Sequence, residues 1–255
     1  MGHIFDIHLA NAYEKWAASP KGLQMESFIE KMISETLKPF KHESVLDIGC
    51  GSGTHLQLAL KRGMDITGID ASPYMISLAR KRLGNQCELK KAKAEDIPFD
   101  DNEFDLVFMI NTLEFLDDPL SALREAGRVA KRGVFIVTFN SFSRYCRWQK
   151  ICSIFSRRNL FSNIRPYNLW EIKKLINKAY GPVPTAWQSE YLIPALFKKI
   201  GSPFIPSRIA MPFGYLLGIS VTLKYRYKTD NLFIKNKISR SKSPVIEGIH
   251  ISHSK

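Results

Sequence analysis

The sequence predicts a doubly wound α/β fold, a mostly parallel sheet with helices on both faces. Three observations carry this. From Ser44 to Phe139, short apolar runs alternate with helical patterns. The runs lack polar alternation, as strands covered on both faces do. The length of 255 residues, with 45% hydrophobic and 24% charged, gives one compact domain ample core and excludes a fibre or an integral membrane protein.

Each element has a local reason. Met25, Phe28, Ile29, Met32, Ile33, Thr36 and Leu37 recur at helical spacing, and Pro39 stops them. Ser44–Ile48 reads as a buried strand entering a glycine turn. Thr54–Arg62 is a helix closed by Gly63, and Met64–Asp70 a second strand. Ser72-Pro73 supplies an N-cap and a first-turn proline for a helix ending before Gly84. Glu88–Ala94 and Phe104–Ile110 read as strands three and four. Asp118-Pro119 caps a helix to about Ala130, and Val134–Phe139 is strand five. After Asn140 come inserts. Asn168 to Glu171 is a capping box for a helix reaching Tyr180, ended by Gly181-Pro182. Thr185–Ile193 and Gly218–Tyr227 are candidate late strands.

Four scattered cysteines without a C-x-x-C pair, and six histidines without zinc spacing, predict free thiols and no metal site. The N-terminus lacks a basic n-region and carries Asp6, so it does not read as a signal peptide. Met211–Leu223 is too short to span a bilayer. The expected location is the cytoplasm, or the periphery of a membrane.

Charge is unevenly spread. Residues 1–140 hold 17 basic and 20 acidic side chains, a balance of −3, and residues 141–255 hold 20 and 4, a balance of +16. The excess points to an anionic partner for the second part, such as phospholipid head groups, nucleic acid or an acidic substrate, or to a solubilising surface.

Chemistry concentrates after the first three strands. Asp47-Ile-Gly49-Cys-Gly51-Ser-Gly53 stands between a strand and a helix, where glycines let backbone approach a ligand. Asp70 ends the second strand, 21 residues after Gly49, where a carboxylate can accept from both ribose hydroxyls. Glu95-Asp96-Ile97 follows the third strand and offers acids for an exocyclic amine and an apolar wall for a ring. A nicotinamide-dinucleotide site shares such a turn, but with G-x-G-x-x-G spacing.

In this order and spacing, the three elements resemble the class I S-adenosylmethionine-dependent methyltransferases, most closely the methyltransferase type 11 group, over about residues 40–140. The resemblance implies a Rossmann-like seven-stranded sheet with a final antiparallel strand, and S-adenosylmethionine as cofactor. It places Asp47, Gly49, Gly51 and Gly53 at the methionine part, Asp70 at the ribose with Ala71 and Met75 beside it, and Asp96 at the adenine amine between Glu95 and Ile97. Asn111 belongs to the segment after strand four, beside cofactor and acceptor. Many relatives carry His-His where this chain has Glu114-Phe115, so no histidine base is available there. The N-terminal stretch also resembles the group, making Tyr13 and Trp16 candidate lid contacts or core anchors.

The implied division is a helical lid over 1–40, a cofactor core over 41–140, an acceptor-side part over 141–234, and a basic tail over 235–255. In-line transfer to a small or lipophilic acceptor is the expected activity. A nucleic-acid acceptor and a non-catalytic cofactor-binding module are the alternatives. Glu114 and Tyr145 are candidates for handling the acceptor, and no catalytic residue is assigned. The aromatic and basic run Tyr145–Phe155 and the proline-rich Pro194–Pro212 suit an aromatic pocket or contact with an anionic membrane surface.

Overall fold

The computed structural model describes residues 4–37, 42–143, 164–190 and 212–223. Its elements, in order, are α1 (Ile7–Ala17), α2 (Pro20–Leu37), β1 (Ser44–Ile48), α3 (Thr54–Lys61), β2 (Asp65–Asp70), α4 (Pro73–Leu83) and β3 (Glu88–Lys91). There follow β4 (Phe104–Ile110), a 3-10 turn (Leu113–Phe115), α5 (Pro119–Val129), β5 (Ala130–Phe139), α6 (Leu169–Tyr180), β6 (Thr185–Glu190) and β7 (Leu216–Thr222). The seven strands form one sheet in the order β3-β2-β1-β4-β5-β7-β6. β7 is antiparallel to both of its neighbours.

Alternate residues of each central strand face opposite layers. Leu46, Val107, Met109 and Ile136 pack with Ala122 and Ala126 of α5 and Ile172 and Ile176 of α6. Val45, Leu106, Phe108 and Phe135 pack with Met25, Ile29 and Met32 of α2, Leu56 of α3 and Ile76 of α4. This double coverage is why the strands read as continuous apolar runs. The expected 1–40 lid is divided in role. α2 is a layer of the core lying across β5, β6 and β7, whereas α1 packs against α2 and α4.

The caps form as the sequence indicates. The Ser72 hydroxyl accepts from Met75 N, Asp118 accepts from Leu120 N and Ser121 N, and Asn168 and Glu171 close a reciprocal capping box. Boundaries moved where pairing decides them. β5 begins at Ala130, four residues before the predicted start, because Ala130 pairs with Phe104 across a register shift. β3 ends at Lys91, where its ladder with β2 ends at Asp70. β7 begins at Leu216, opposite Phe139, and β6 ends at Glu190.

Among the described residues, no helix is long and apolar enough to cross a membrane, and no group of three His, Cys, Asp or Glu could hold a metal ion. Cys50 and Cys87 are free thiols. Tyr145, both inserts apart from Pro212, and the 235–255 tail lie outside the described residues.

Candidate active site

The parallel strands β1, β2 and β4 all end at one edge of the sheet, where their following loops build a cavity of about 690 Å³. Gly49, Cys50, His55, Asp70, Ala71 and Met75 form its floor and one wall. Lys93 to Glu95 and Asn111 form another, and Ile4, Phe5, Tyr13, Phe115 and Phe139 contribute apolar and aromatic surface.

The glycine turn is set by geometry that side chains would break. Gly49 has φ +72, and a Cβ there would stand 2.6 Å from Cγ2 and Oγ1 of Thr112. Thr112 is itself fixed, since its hydroxyl donates to Ile48 O at 2.8 Å. Gly53, with φ +81, leaves no room because Leu83 would be 2.8 Å away. Gly49→Ala combines left-handed strain with that collision, so we expect a loss of about 2–3 kcal/mol and a Tm lower by about 5–10 °C in a thermal melt.

Asp70 holds the turn from the neighbouring strand. Its carboxylate accepts from Gly51 N at 2.9 Å and from Ser72 N at 2.8 Å. Burial pushes its carboxyl up, against the pull of those two N–H groups. The Ser72 hydroxyl in turn donates to Phe5 O at 2.6 Å, which ties the N-terminal segment over the cavity.

Beneath the turn lies a buried polar cluster. Asp47 is fully buried, and neither carboxylate oxygen has a hydrogen-bond partner. Burial pushes its carboxyl up to about 7; the positive charge of His55 opposes this, and Asp70 and Glu26 add to it. His55 Nε2 lies 3.2 Å from Glu26 Oε2. Burial alone would lower His55, but the adjacent Glu26 carboxylate outweighs it and holds the imidazole above its ordinary value. Glu26 is correspondingly held down, His55 overcoming the effect of burial. Burial likewise drives the Tyr13 phenol upward, so it keeps its proton. Asn111, at φ +50, presents a buried Oδ1 that lacks a partner.

Of the residues anticipated from sequence, Tyr13, Gly49, Asp70, Ala71, Met75, Glu95 and Asn111 line the cavity. Asp47, Gly51 and Gly53 do not line it, though Gly51 N donates to the lining residue Asp70. Trp16 does not line it; its ring lies 5.7 Å from that of Tyr13 and packs on the α2 side of the core. Asp96 is exposed and outside the cavity wall, because a tight turn bridging Lys93 and Asp96 aims Glu95 inward instead. Ile97 is buried in the core toward α5, where its N–H donates to Glu125 at 3.1 Å. His55 and Thr112 were missed. His55 sits one residue beyond the start of α3, and its partner Glu26 belongs to a distant helix.

Glu114 is 2% exposed and lies behind the cavity wall. Its Oε1 accepts from Phe139 N at 2.6 Å, and its carbonyl accepts from Arg165 N at 3.1 Å, which joins β5 to the strand of chain before α6. Burial raises its carboxyl to about 7, opposed by the Phe139 N–H. Because the folded value exceeds the unfolded one, its ionisation costs stability as pH rises from about 4.5 to 7. Glu114→Gln should remove that slope from a Tm-against-pH series and leave cofactor affinity within about twofold.

A buried carboxyl without a donor can pair with a cationic ligand when ionised, and Asp47 immediately precedes the glycine turn. A ligand with a ribose, a ring and a positive charge fits these groups. The fold is a doubly wound sheet with a ligand-sized cavity at the ends of its parallel strands. Residues 46–138 match the family model "Methyltransferase domain". The chain is 33% identical over 111 residues to an O-methyltransferase of Aspergillus nomiae, covering 41% of this chain and 49% of that one. It is 32% identical over 114 residues to the ubiquinone biosynthesis O-methyltransferase of Nitrosomonas europaea, covering 42% and 48%. The chain thus spans about half the length of the curated relatives it matches. A Thermotoga maritima structure, an S-adenosylmethionine-dependent methyltransferase described as a possible histamine N-methyltransferase, superposes with TM-score 0.63 at 25% identity, covering 85% and 97%. Over residues 46–138 this chain is similar to the S-adenosylmethionine-dependent methyltransferases, and S-adenosylmethionine is the cofactor that this similarity indicates.

Proposed function

We propose that this chain transfers the methyl group of S-adenosylmethionine to a small, lipophilic acceptor that is neutral or cationic. The observation that carries the reading is the cavity lining. Asp70, Glu95, Asp117 and Asp118 line it with one lysine, Lys93, among aromatic and aliphatic side chains. An acid-rich wall attracts a sulfonium and repels an anionic acceptor.

When bound, the cofactor supplies an electrophilic methyl on a positively charged sulfur. The residues that would hold it are the backbone from Gly49 to Gly53 with Asp47 at the methionine part, Asp70 at the ribose, and the Met75–Glu95 wall at the ring. The chain's own task is to align the acceptor's lone pair and exclude water. Phe5 packs edge-on against Phe115 at 5.4 Å and against Tyr13 at 6.1 Å, forming an apolar cover. The neutral Tyr13 hydroxyl and Asn111 Oδ1 can orient a polar acceptor group, and Glu95 or Asp117 can take a proton from it.

The sequence-based expectation that the basic second part forms the acceptor site gains no support from the described lining, all of which lies between Ile4 and Phe139. The relatives named for ubiquinone biosynthesis and for histamine support a small-molecule acceptor. The test is incubation with methyl-labelled S-adenosylmethionine and separated cell fractions. Label in organic-extractable small molecules is expected. Label confined to nucleic acid would contradict the reading, and no label despite cofactor binding would mark a non-catalytic module.

A further inference from the structure

Three large aromatic side chains stand exposed together outside the cavity: Phe142 at 44%, Trp170 at 57% and Phe213 at 53%. Their rings form a continuous group, with Phe142 5.8 Å from Trp170 and 6.4 Å from Phe213. They come from three separate segments: the chain after β5, the first turn of α6, and the turn before β7.

These segments are locked to one another. Asn140, fully buried, donates from Nδ2 to Pro212 O and Gly214 O, both at 2.8 Å, and its Oδ1 accepts from Phe142 N at 3.0 Å. Its own N–H donates to Tyr215 O at 3.0 Å. Ser141 N donates to Tyr167 O at 3.0 Å, and Tyr167 N to Phe139 O at 3.1 Å, which fixes the approach to α6. A buried amide making this many bonds is costly to place unless every bond is met, so the platform is built rather than incidental. Phe142 stands three residues beyond Phe139, which lines the cavity.

The charge along the exposed face of α6 is mostly basic. Lys174 and Lys178 follow Trp170 at i+4 and i+8, on one exposed face of α6, with Lys173 adjacent. Of the two described acids of the second part, Glu171 adjoins Trp170 with its carboxylate turned to the helix N-terminus, and Glu190 is ion-paired. Glu171 accepts from Asn168 N at 2.9 Å in the capping box, and Glu190 pairs with Lys31 at 2.7 Å. Exposed aromatics backed by lysines, within a part carrying 20 basic and 4 acidic residues, match the interface of an anionic bilayer.

We propose that Phe142, Trp170 and Phe213 form an insertion platform that docks the protein on an anionic phospholipid surface, with Lys174 and Lys178 at the head groups. With Phe139 of the lining three residues from Phe142, the cavity then lies near the bilayer, a consequence for acceptor entry that rests on the proposed function. The docking itself does not, because its assay contains neither cofactor nor acceptor.

The test is flotation of the full chain with phosphatidylcholine vesicles, with and without about 30% phosphatidylglycerol. Wild type should float with the anionic vesicles. The triple variant Phe142→Ser, Trp170→Ser, Phe213→Ser, checked for an unchanged melting curve, should partition at least about tenfold less, and Lys174→Glu with Lys178→Glu should lose binding to anionic vesicles selectively. Wild type that fails to float, or a triple variant that floats equally, would overturn the proposal. So would a wild-type dimer that the triple substitution dissociates without any effect on vesicles, because the occupant would then be a second copy.

Discussion

Asp70→Ala should weaken S-adenosylmethionine binding about a hundredfold, read by calorimetry at neutral pH. The loss has two sources. A carboxylate at the end of β2 can accept from both ribose hydroxyls, and each hydrogen bond to a charged acceptor contributes about 1.5–3 kcal/mol. The same carboxylate accepts from Gly51 N and Ser72 N, so its removal also releases the glycine turn and the anchor of α4. Asp70→Asn keeps one acceptor oxygen and should lose about tenfold. A structural role alone would lower Tm in both variants without ordering their affinities this way.

The second large effect concerns Asp47. Its carboxyl titrates near 7 in the folded chain because burial disfavours the charge, with His55 opposing and Asp70 and Glu26 reinforcing that shift. The folded value is higher than the unfolded one, so the ligand-free protein binds the proton more tightly than the unfolded chain and loses stability as pH rises from about 4 to 7. A cationic ligand over the turn reverses the balance by pairing with the ionised form. Cofactor affinity should therefore rise with pH through about 7 and level above it. Asp47→Asn should flatten that rise, weaken binding at pH about 8 by more than about tenfold, and raise the Tm of the ligand-free protein by several degrees. This opposition of stability and binding is the expected mark of a group retained for its ligand. An affinity that does not change across this pH range in the wild type would remove Asp47 from the cation site.

Much of the fold was legible because its signals are local. The Ser72-Pro73 and Asp118-Pro119 starts, the Asn168 capping box and the apolar run Phe104–Ile110 each depend on neighbouring residues only. The start of β5 was not legible, since Ala130 joins the sheet through pairing with Phe104, and nothing in Ala130-Lys-Arg announces it. The site divides similarly. Gly49, Asp70 and Asn111 stand at or just after strand ends, where the parallel topology brings them together. Asp96 and Glu95 are adjacent acids, and only the bend bridging Lys93 and Asp96 decides which one faces the cavity. The His55–Glu26 pair spans two helices, so no sequence spacing could have revealed it. Glu114 read as a candidate for the acceptor from its place after β4, but its side chain turns back to hold Phe139 N.

The most direct measurement is calorimetric titration of the full chain with S-adenosylmethionine and S-adenosylhomocysteine. Binding of both at one site with micromolar affinity, lost in Asp70→Ala, is the predicted result. A folded wild-type protein that binds neither would contradict a cofactor site formed by Asp47, the glycine turn and Asp70.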